Sequence, residues 1–292
     1  MTDIISLPIS DWNQRCTAAE QELAIDALER GSVLLFPQLG FPLQDGEDRL
    51  LSPATAGKSK NVSLDPASGT LRVSGIDEAE RARLQGLMMR FVLATRTLLG
   101  NVLPRYTPGL QQARTSFRPV EVAGRPTSWR KDDTRLHVDG FPSSPTQGRR
   151  ILRVFANINP QGKLRQWRLG DSFEAVARRF LPSLPHPVWG ASRLLELAHI
   201  TKGRRTAYDH FMLQLHDRMK ADPDYQAQAQ QSVYEFRAGS TWIVFTDQVP
   251  HAAMQGQYAL EQTYYLPVDC MRDPSLAPLR VLERLMHREL AR

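Results

Sequence analysis

The chain has 292 residues, 41% of them hydrophobic, enough to bury a substantial core, and that length fits one large β-rich domain over residues 1–292. No basic n-region with an apolar stretch opens the chain and no run nears the roughly 20 apolar residues of a membrane span, while two cysteines, Cys16 and Cys270, in no metal or redox spacing exclude a disulfide framework and fit a reducing, cytoplasmic compartment. The net charge of +6 comes almost entirely from dispersed arginines, which suit carboxylate or phosphate recognition; with no basic tail, zinc finger or RNA-binding motif, nucleic acid is not the expected partner.

Thr17 and Glu20 form a capping box, which predicts a helix stopping near Gly31, a residue suited to the left-handed C-terminal position. A β-branched apolar strand is expected over residues 32–36, then a polar exposed loop over 45–57. Residues 61–64 and 70–73 flank a turn signal and read as a hairpin. Between residues 76 and 103, Leu84, Leu87, Met88, Phe91, Leu98 and Leu99 recur at helical spacing, so a packing helix is expected.

Strands resume at residues 113–122 and, after a polar loop through Lys131-Asp132-Asp133, at 136–141 and 151–158. Residues 171–221 read as a helical insertion, broken by the proline-rich stretch 181–187 and placed to form one wall of a site. The last β block covers 233–236, 241–245, 251–254 and 262–266, with a turn at Gly239, and a helix runs from 276 to the end. This order predicts a mainly β protein, an antiparallel core with flanking helices.

His137 and Asp139 stand two apart in an expected strand, so their side chains share a face while Leu136 and Val138 turn into packing. Imidazole with carboxylate suits a divalent first-row metal, and two histidines with one carboxylate leave coordination positions open. Such a triplet alone occurs often by chance. Its candidate partner is His251, which a strand, a glycine turn, an apolar strand and a short polar loop deliver to the start of the next strand. His186, His199, His210, His216 and His287 fall in helical or loop contexts and read as surface or internally satisfied; none forms an HExxH pair, which argues against a zinc hydrolase.

Together, His137, Asp139 and His251 resemble the metal ligands of the Fe(II)- and 2-oxoglutarate-dependent oxygenases. Within them, Arg135-Leu136-His137-Val138-Asp139-Gly140-Phe141-Pro142-Ser143, with Trp129-Arg130-Lys131-Asp132 upstream and Gly239-Ser240-Thr241-Trp242 downstream, resembles the Kdo hydroxylase family over most of the chain. The resemblance implies a double-stranded β-helix, a cupin-like jelly roll, in which these three catalytic residues hold Fe(II), with 2-oxoglutarate and O2 as co-substrates. It also implies hydroxylation at C3 of 3-deoxy-D-manno-oct-2-ulosonic acid (Kdo) in the inner core of lipopolysaccharide. A Kdo-containing glycolipid, Kdo-lipid A, is then the substrate, and transient contact with the inner membrane surface the setting. The carboxylate of Asp139 implies hydroxylation, because a small residue there leaves room for a halide.

In the commonest oxygenase pattern an arginine about ten residues after the distal histidine pairs with the far carboxylate of 2-oxoglutarate, but here Glu261 and Gln262 occupy that stretch. A buried carboxylate still needs a partner. Arg153 is the candidate, sharing a strand face with Phe155 and Asn157, and related cupin-type oxygenases place a basic residue on this strand; a surface arginine on an edge strand is the alternative. Arg118, Trp129, Arg130 and Lys131, with Arg114, are candidates for contacting the sugar's carboxylates or phosphates. Trp129 and Trp242 either wall the pocket or fill the core. Two further readings stay open: the same chemistry on another small molecule, lipid or protein side chain, and a non-catalytic cupin-like binding protein.

Overall fold

In the computed structural model, which describes residues 2–57, 59–187 and 190–291, the short apolar runs pair into two sheets. The strands are β1 (Ile4–Ser6), β2 (Val33–Phe36), β3 (Val62–Asp65), β4 (Thr70–Arg72), β5 (Gln111–Arg118), β6 (Arg150–Asn157), β7 (Arg165–Leu169), β8 (Ser232–Phe236), β9 (Thr241–Phe245), β10 (His251–Gln255) and β11 (Ala259–Leu266). The large sheet has the order β1-β2-β9-β6-β11-β5-β3-β4 and the small one β10-β7-β8. Apart from the parallel pair β1 and β2, neighbours run antiparallel. Strands distant in sequence interleave in both sheets, as in the double-stranded β-helix that was expected.

Aromatics from both sheets pack against one another. Trp242 of β9 stacks on Phe236 of β8 at 4.0 Å and on Phe155 of β6 at 5.3 Å, while Trp167 of β7 meets Phe155 edge-on at 4.9 Å. Trp242 is completely buried here and therefore fills the core.

Helices cover the outside. Helix α1 (Ala18–Glu29) starts at the Thr17–Glu20 capping box and ends in a Schellman turn, with Gly31 at φ 88° and the Ser32 amide donating to the Ala27 carbonyl at 2.9 Å. Glu29, in its last turn, is buried, and its carboxylate accepts from the Tyr106 hydroxyl at 2.8 Å and from the amides of Arg272 and Asp273 at 2.7 Å each. Helix α2 (Glu78–Val102), capped by Asp77, buries the predicted Leu84, Leu87, Met88, Phe91, Leu98 and Leu99 and packs on β5 and β11. Each such side chain contributes roughly 1.5–3 kcal/mol relative to exposure. Helices α3 (Phe173–Phe180), α4 (Ala191–Leu197), α5 (Ala207–Ala221) and α6 (Pro223–Gln228) form the insertion, and α7 (Pro278–Met286) follows the last strand. Residues 188 and 189 of the expected helical stretch lie outside the described residues.

Several expectations need correction. Strand β5 stops at Arg118 instead of 122, because Pro119 has no amide to continue the ladder. The loop 45–57 is not exposed throughout: it folds into two 3-10 turns, Asp48–Leu50 and Pro53–Ala56, whose Leu50 and Ala56 join the core beneath α2, and Glu47 is buried against Arg90. The last helix stops at Met286, where His287 takes a left-handed conformation. Strands β1 and β7 were not anticipated. Residues 136–141 form no regular strand; a single bridge joins His137 to His251.

Candidate active site

That bridge builds the site. The His137 amide donates to the His251 carbonyl at 3.0 Å, the His251 amide returns the bond at 2.9 Å, and the Asp139 amide reaches the Thr246 carbonyl at 2.8 Å. On the other side the Gln226 side chain of α6 stands in for a strand neighbour. Its oxygen accepts from the Leu136 amide at 2.8 Å and its nitrogen donates to the Leu136 carbonyl at 2.9 Å. Leu136 and Val138 are buried in the core while His137 and Asp139 line the cavity, so the expected parity holds without a sheet.

Both histidines are buried, and each Nδ1 faces a carbonyl: His137 that of Arg135 at 2.7 Å, His251 that of Val249 at 2.9 Å. A carbonyl only accepts, so each ring carries its proton on Nδ1 and leaves the Nε2 lone pair bare. Burial, reinforced by the charges of His251, Lys220 and His216, holds His137 well below the usual histidine pKa; burial lowers His251 as well, against the opposing pull of Asp139. Both rings are neutral near pH 7.

For Asp139, burial raises the pKa, but Arg153 and neighbouring groups outweigh it, so the carboxyl is ionised. Asp139 Oδ1 lies 3.9 Å from His137 Nε2, while Oδ2 has an ion-pair contact with Arg153 Nη2 at 3.0 Å yet no hydrogen bond of good geometry. Ligand atoms of His137, Asp139 and His251 all lie within 4.8 Å of one another. Two unprotonated imidazole nitrogens and one under-satisfied carboxylate converging on a point fit a divalent first-row cation.

These residues line a cavity of about 500 Å³ between the sheets, walled on one side by α5 through Leu213, His216, Asp217 and Lys220, so the helical insertion does supply a wall. A second cavity of about 620 Å³ adjoins it, sharing Arg118, Phe141, Pro142 and Arg153. At the junction stands Glu261, whose carboxylate bonds Arg118 Nε at 2.7 Å and Arg153 Nη1 at 2.9 Å.

The structure brings together most, but not all, of the predicted residues. Arg153 and Arg118 line both cavities, Arg130 and Lys131 line the metal-side cavity, and Arg114 the second one. Asn157 does not reach either. It has the right face but sits too deep, its Nδ2 committed to the Lys163 and Phe236 carbonyls at 3.0 Å each. Trp129 does not line the cavity either; its ring carries the Arg130 guanidinium, 4.1 Å away. His216 is internally satisfied, one of the two expected outcomes: its Nδ1 is on Asp217 at 2.9 Å, and its ring lies 5.2 Å from that of His137.

Other lining residues went unnoticed: Lys60 and Asp133, paired at 2.9 Å, then Arg165, Trp167 and Lys220. His216 and Lys220 are one turn apart on α5 and share a face, a spacing visible in the sequence. Glu261 had been noticed only as the place where an arginine is missing.

Residues 11–289 match the family model of 3-deoxy-D-manno-oct-2-ulosonic acid (Kdo) hydroxylase. A crystal structure of the Kdo hydroxylase KdoO, a non-heme Fe(II) alphaketoglutarate-dependent dioxygenase, in complex with cobalt(II) is 49% identical, covers 99% of this chain and 98% of that one, and superposes with a TM-score of 0.97. KdoO with alphaketoglutarate and Fe(III), at 97% coverage of that chain, and with succinate and Fe(III), at 98%, each give a TM-score of 0.96 at 49% identity over 99% of this chain. No curated protein sequence matches the chain.

Proposed function

The chain belongs to the Kdo hydroxylase family, and from that premise we propose that it hydroxylates C3 of Kdo in Kdo-lipid A at an Fe(II) centre held by His137, Asp139 and His251. The enzyme is an Fe(II)- and 2-oxoglutarate-dependent dioxygenase. When bound, the iron supplies oxygen activation coupled to decarboxylation of 2-oxoglutarate, with succinate and CO2 as products. One observation carries the assignment of ligands: both histidines have their Nδ1 protons fixed by backbone carbonyls, so both Nε2 lone pairs face the Asp139 carboxylate.

The remaining residues bind and orient. Arg153 holds Asp139 in place through Oδ2, and Glu261 in turn holds both Arg153 and Arg118. Trp167 lies nearly parallel to the His251 ring at 5.3 Å and keeps water off that side. Arg118, Arg130 and Lys131 are the groups for the acceptor's sugar carboxylate, with Arg114 and Lys202 in the adjoining cavity. Residues 1–292 act as one catalytic unit.

Among the described residues no helix is long and apolar enough to cross a membrane. Transient contact with an anionic membrane surface is supported by Leu194, Leu197 and Ile200, which are 68%, 76% and 59% exposed beside the exposed Arg193, Lys202 and Arg204. Co-sedimentation with vesicles containing anionic lipid tests this. Leu194→Ser with Leu197→Ser should lower the bound fraction, and unchanged binding removes the patch from consideration.

The main test is incubation with Kdo-lipid A, Fe(II) and 2-oxoglutarate, followed by mass spectrometry for a gain of one oxygen and by succinate measurement. Equal turnover on acceptors lacking Kdo would move the substrate assignment elsewhere.

A further inference from the structure

The second cavity carries positive charge that the fold itself does not answer. Where it meets the metal-side cavity, Arg118 pairs with Glu261 and Asp133, and Arg153 with Asp139 and Glu261. Away from that junction its lining includes Arg114, Arg149 and Lys202, and none of these three forms an ion pair among the described residues. Arg114, half-buried, gives only Nη1 to the Ser63 hydroxyl at 3.3 Å. Arg149, also half-buried, donates from Nε to the Thr146 carbonyl at 2.8 Å and from Nη1 to the Gln111 side-chain oxygen at 2.6 Å, both neutral acceptors. The carboxylates on the lining are Glu261, already engaged, and Asp65, which accepts from the Ala67 amide at 3.2 Å.

Local structure aims these cations at one space. The register of β11 on β5 shifts between Thr115 and Gln112, a bulge that turns both Ala113 and Arg114 to the cavity. About 13 Å of strand separates Arg114 from Arg118, more than a single sugar ring spans. The Arg149 guanidinium lies over the Tyr265 ring, 5.0 Å from its centre. Burial raises the pKa of the Tyr265 hydroxyl while the charges of Arg153, Arg149 and Arg114 oppose it, so the guanidinium groups lie around that one side chain. Lys202 joins them from the segment after α4, where its amide donates to the Ser143 carbonyl at 2.9 Å, two residues beyond Ile200 of the exposed apolar patch. Apolar patch, second cavity and metal-side cavity therefore follow one another.

We infer that the second cavity takes a second anionic group of the acceptor, a phosphate or carboxylate one sugar away from the ring that is hydroxylated. This rests on the Kdo hydroxylase reading above and makes Arg114, Arg149 and Lys202 specificity residues. Guanidinium groups suit either oxyanion, and an anion here meets cations that no protein carboxylate has claimed. The enzyme then selects an acceptor with two acids spaced as the two cavities are, and discriminates against a lone Kdo unit.

The test measures succinate formation by the Fe(II)-loaded enzyme on water-soluble acceptors, which removes any contribution from a lipid surface. These are the methyl glycoside of Kdo, the deacylated Kdo-bearing glucosamine backbone of lipid A with and without its phosphates, and the Kdo disaccharide. A second anion should lower the acceptor KM about 30-fold relative to the methyl glycoside, the scale of one or two hydrogen bonds to a charged group, with kcat within about twofold. A gain lost on dephosphorylation identifies the phosphate as the ligand, and a gain shown by the disaccharide identifies the carboxylate; either supports the proposal. Arg114→Gln combined with Arg149→Gln should erase the gain and leave the KM for the methyl glycoside within about twofold, whereas lysine at both positions should keep part of it. Lys202→Glu, at an exposed position that folding does not depend on, should reduce the gain and decides the matter if the double variant melts well below the wild type. A wild type indifferent to the second anion, a gain that survives these substitutions, or a KM that rises equally for the methyl glycoside overturns the proposal. If instead the wild type forms no succinate with any Kdo acceptor, the Kdo hydroxylase reading itself falls.

Discussion

Strand β6 carries two arginines on opposite faces, and their surroundings differ in one respect. Arg150, facing the core, is fully buried; its Nε bonds Asp247 at 2.7 Å, its Nη2 bonds Gln248 at 2.6 Å, and its plane lies 3.8 Å from the Phe245 ring centre. Asp247 is as deeply buried, and burial raises its pKa against the pull of Arg150. Arg153, facing the cavities, touches two carboxylates, yet its Nε and one oxygen of Asp139 lack a properly directed hydrogen bond. Both arginines pair with buried carboxylates. What separates a structural ion pair from a reactive one is whether its polar shell is closed.

The contrast can be broken by exchanging what each region does. The largest effect belongs to the open region: His137→Ala or Asp139→Ala should lower substrate-dependent succinate formation by at least about a thousandfold, beyond the 10–100-fold typical of residues behind a metal ligand. Differential scanning calorimetry of the metal-free variants should find the melting temperature hardly moved. Retained turnover would remove the metal from this site.

Asp247→Ala should do the opposite, costing about 3–5 kcal/mol by stranding Arg150, as read from urea midpoints, while folded molecules turn over normally. Arg150→Met combined with Asp247→Leu sharpens the point. With both charges gone, most of that stability should return, and a double variant as weak as the single one would mean that the pair itself stabilises.

Glu261→Gln lies between the two regions. It releases Arg118 and Arg153 together and should raise the KM for 2-oxoglutarate about tenfold with kcat less affected, in steady-state succinate assays. The smallest effect is a remote one: Thr17→Ala removes the α1 cap and should cost about 1 kcal/mol without touching turnover. A kinetic change there would show that the helices are coupled to the cavity.

The metal residues were legible because alternation along an extended backbone survives even where no sheet forms, as at residues 136–141. Alternation gives a face but not a depth, which is why Asn157 was placed in the cavity when its amide lies beyond it. Strand β7 was hidden because only Trp167 and Leu169 mark its inner face, with an arginine, Arg165, at the third inward position; that face is set by β8 and β10, more than sixty residues later in the chain. Arg165 and Trp167 were missed with it. His216 was legible only as satisfied or at the surface, because a helical position says nothing about which strand the helix will cover. Glu261 could have been read from the charge deficit around Arg118 and Arg153, had their convergence been visible.

Glu29 sits in helix α1, but the Arg272 amide that satisfies its carboxylate lies 243 residues later in the chain. Throughout synthesis the nascent chain therefore carries an acid that cannot be buried at acceptable cost. Final docking of α1 waits until residues 272 and 273 have been synthesised, and a chain truncated before them lacks the contact that satisfies this acid.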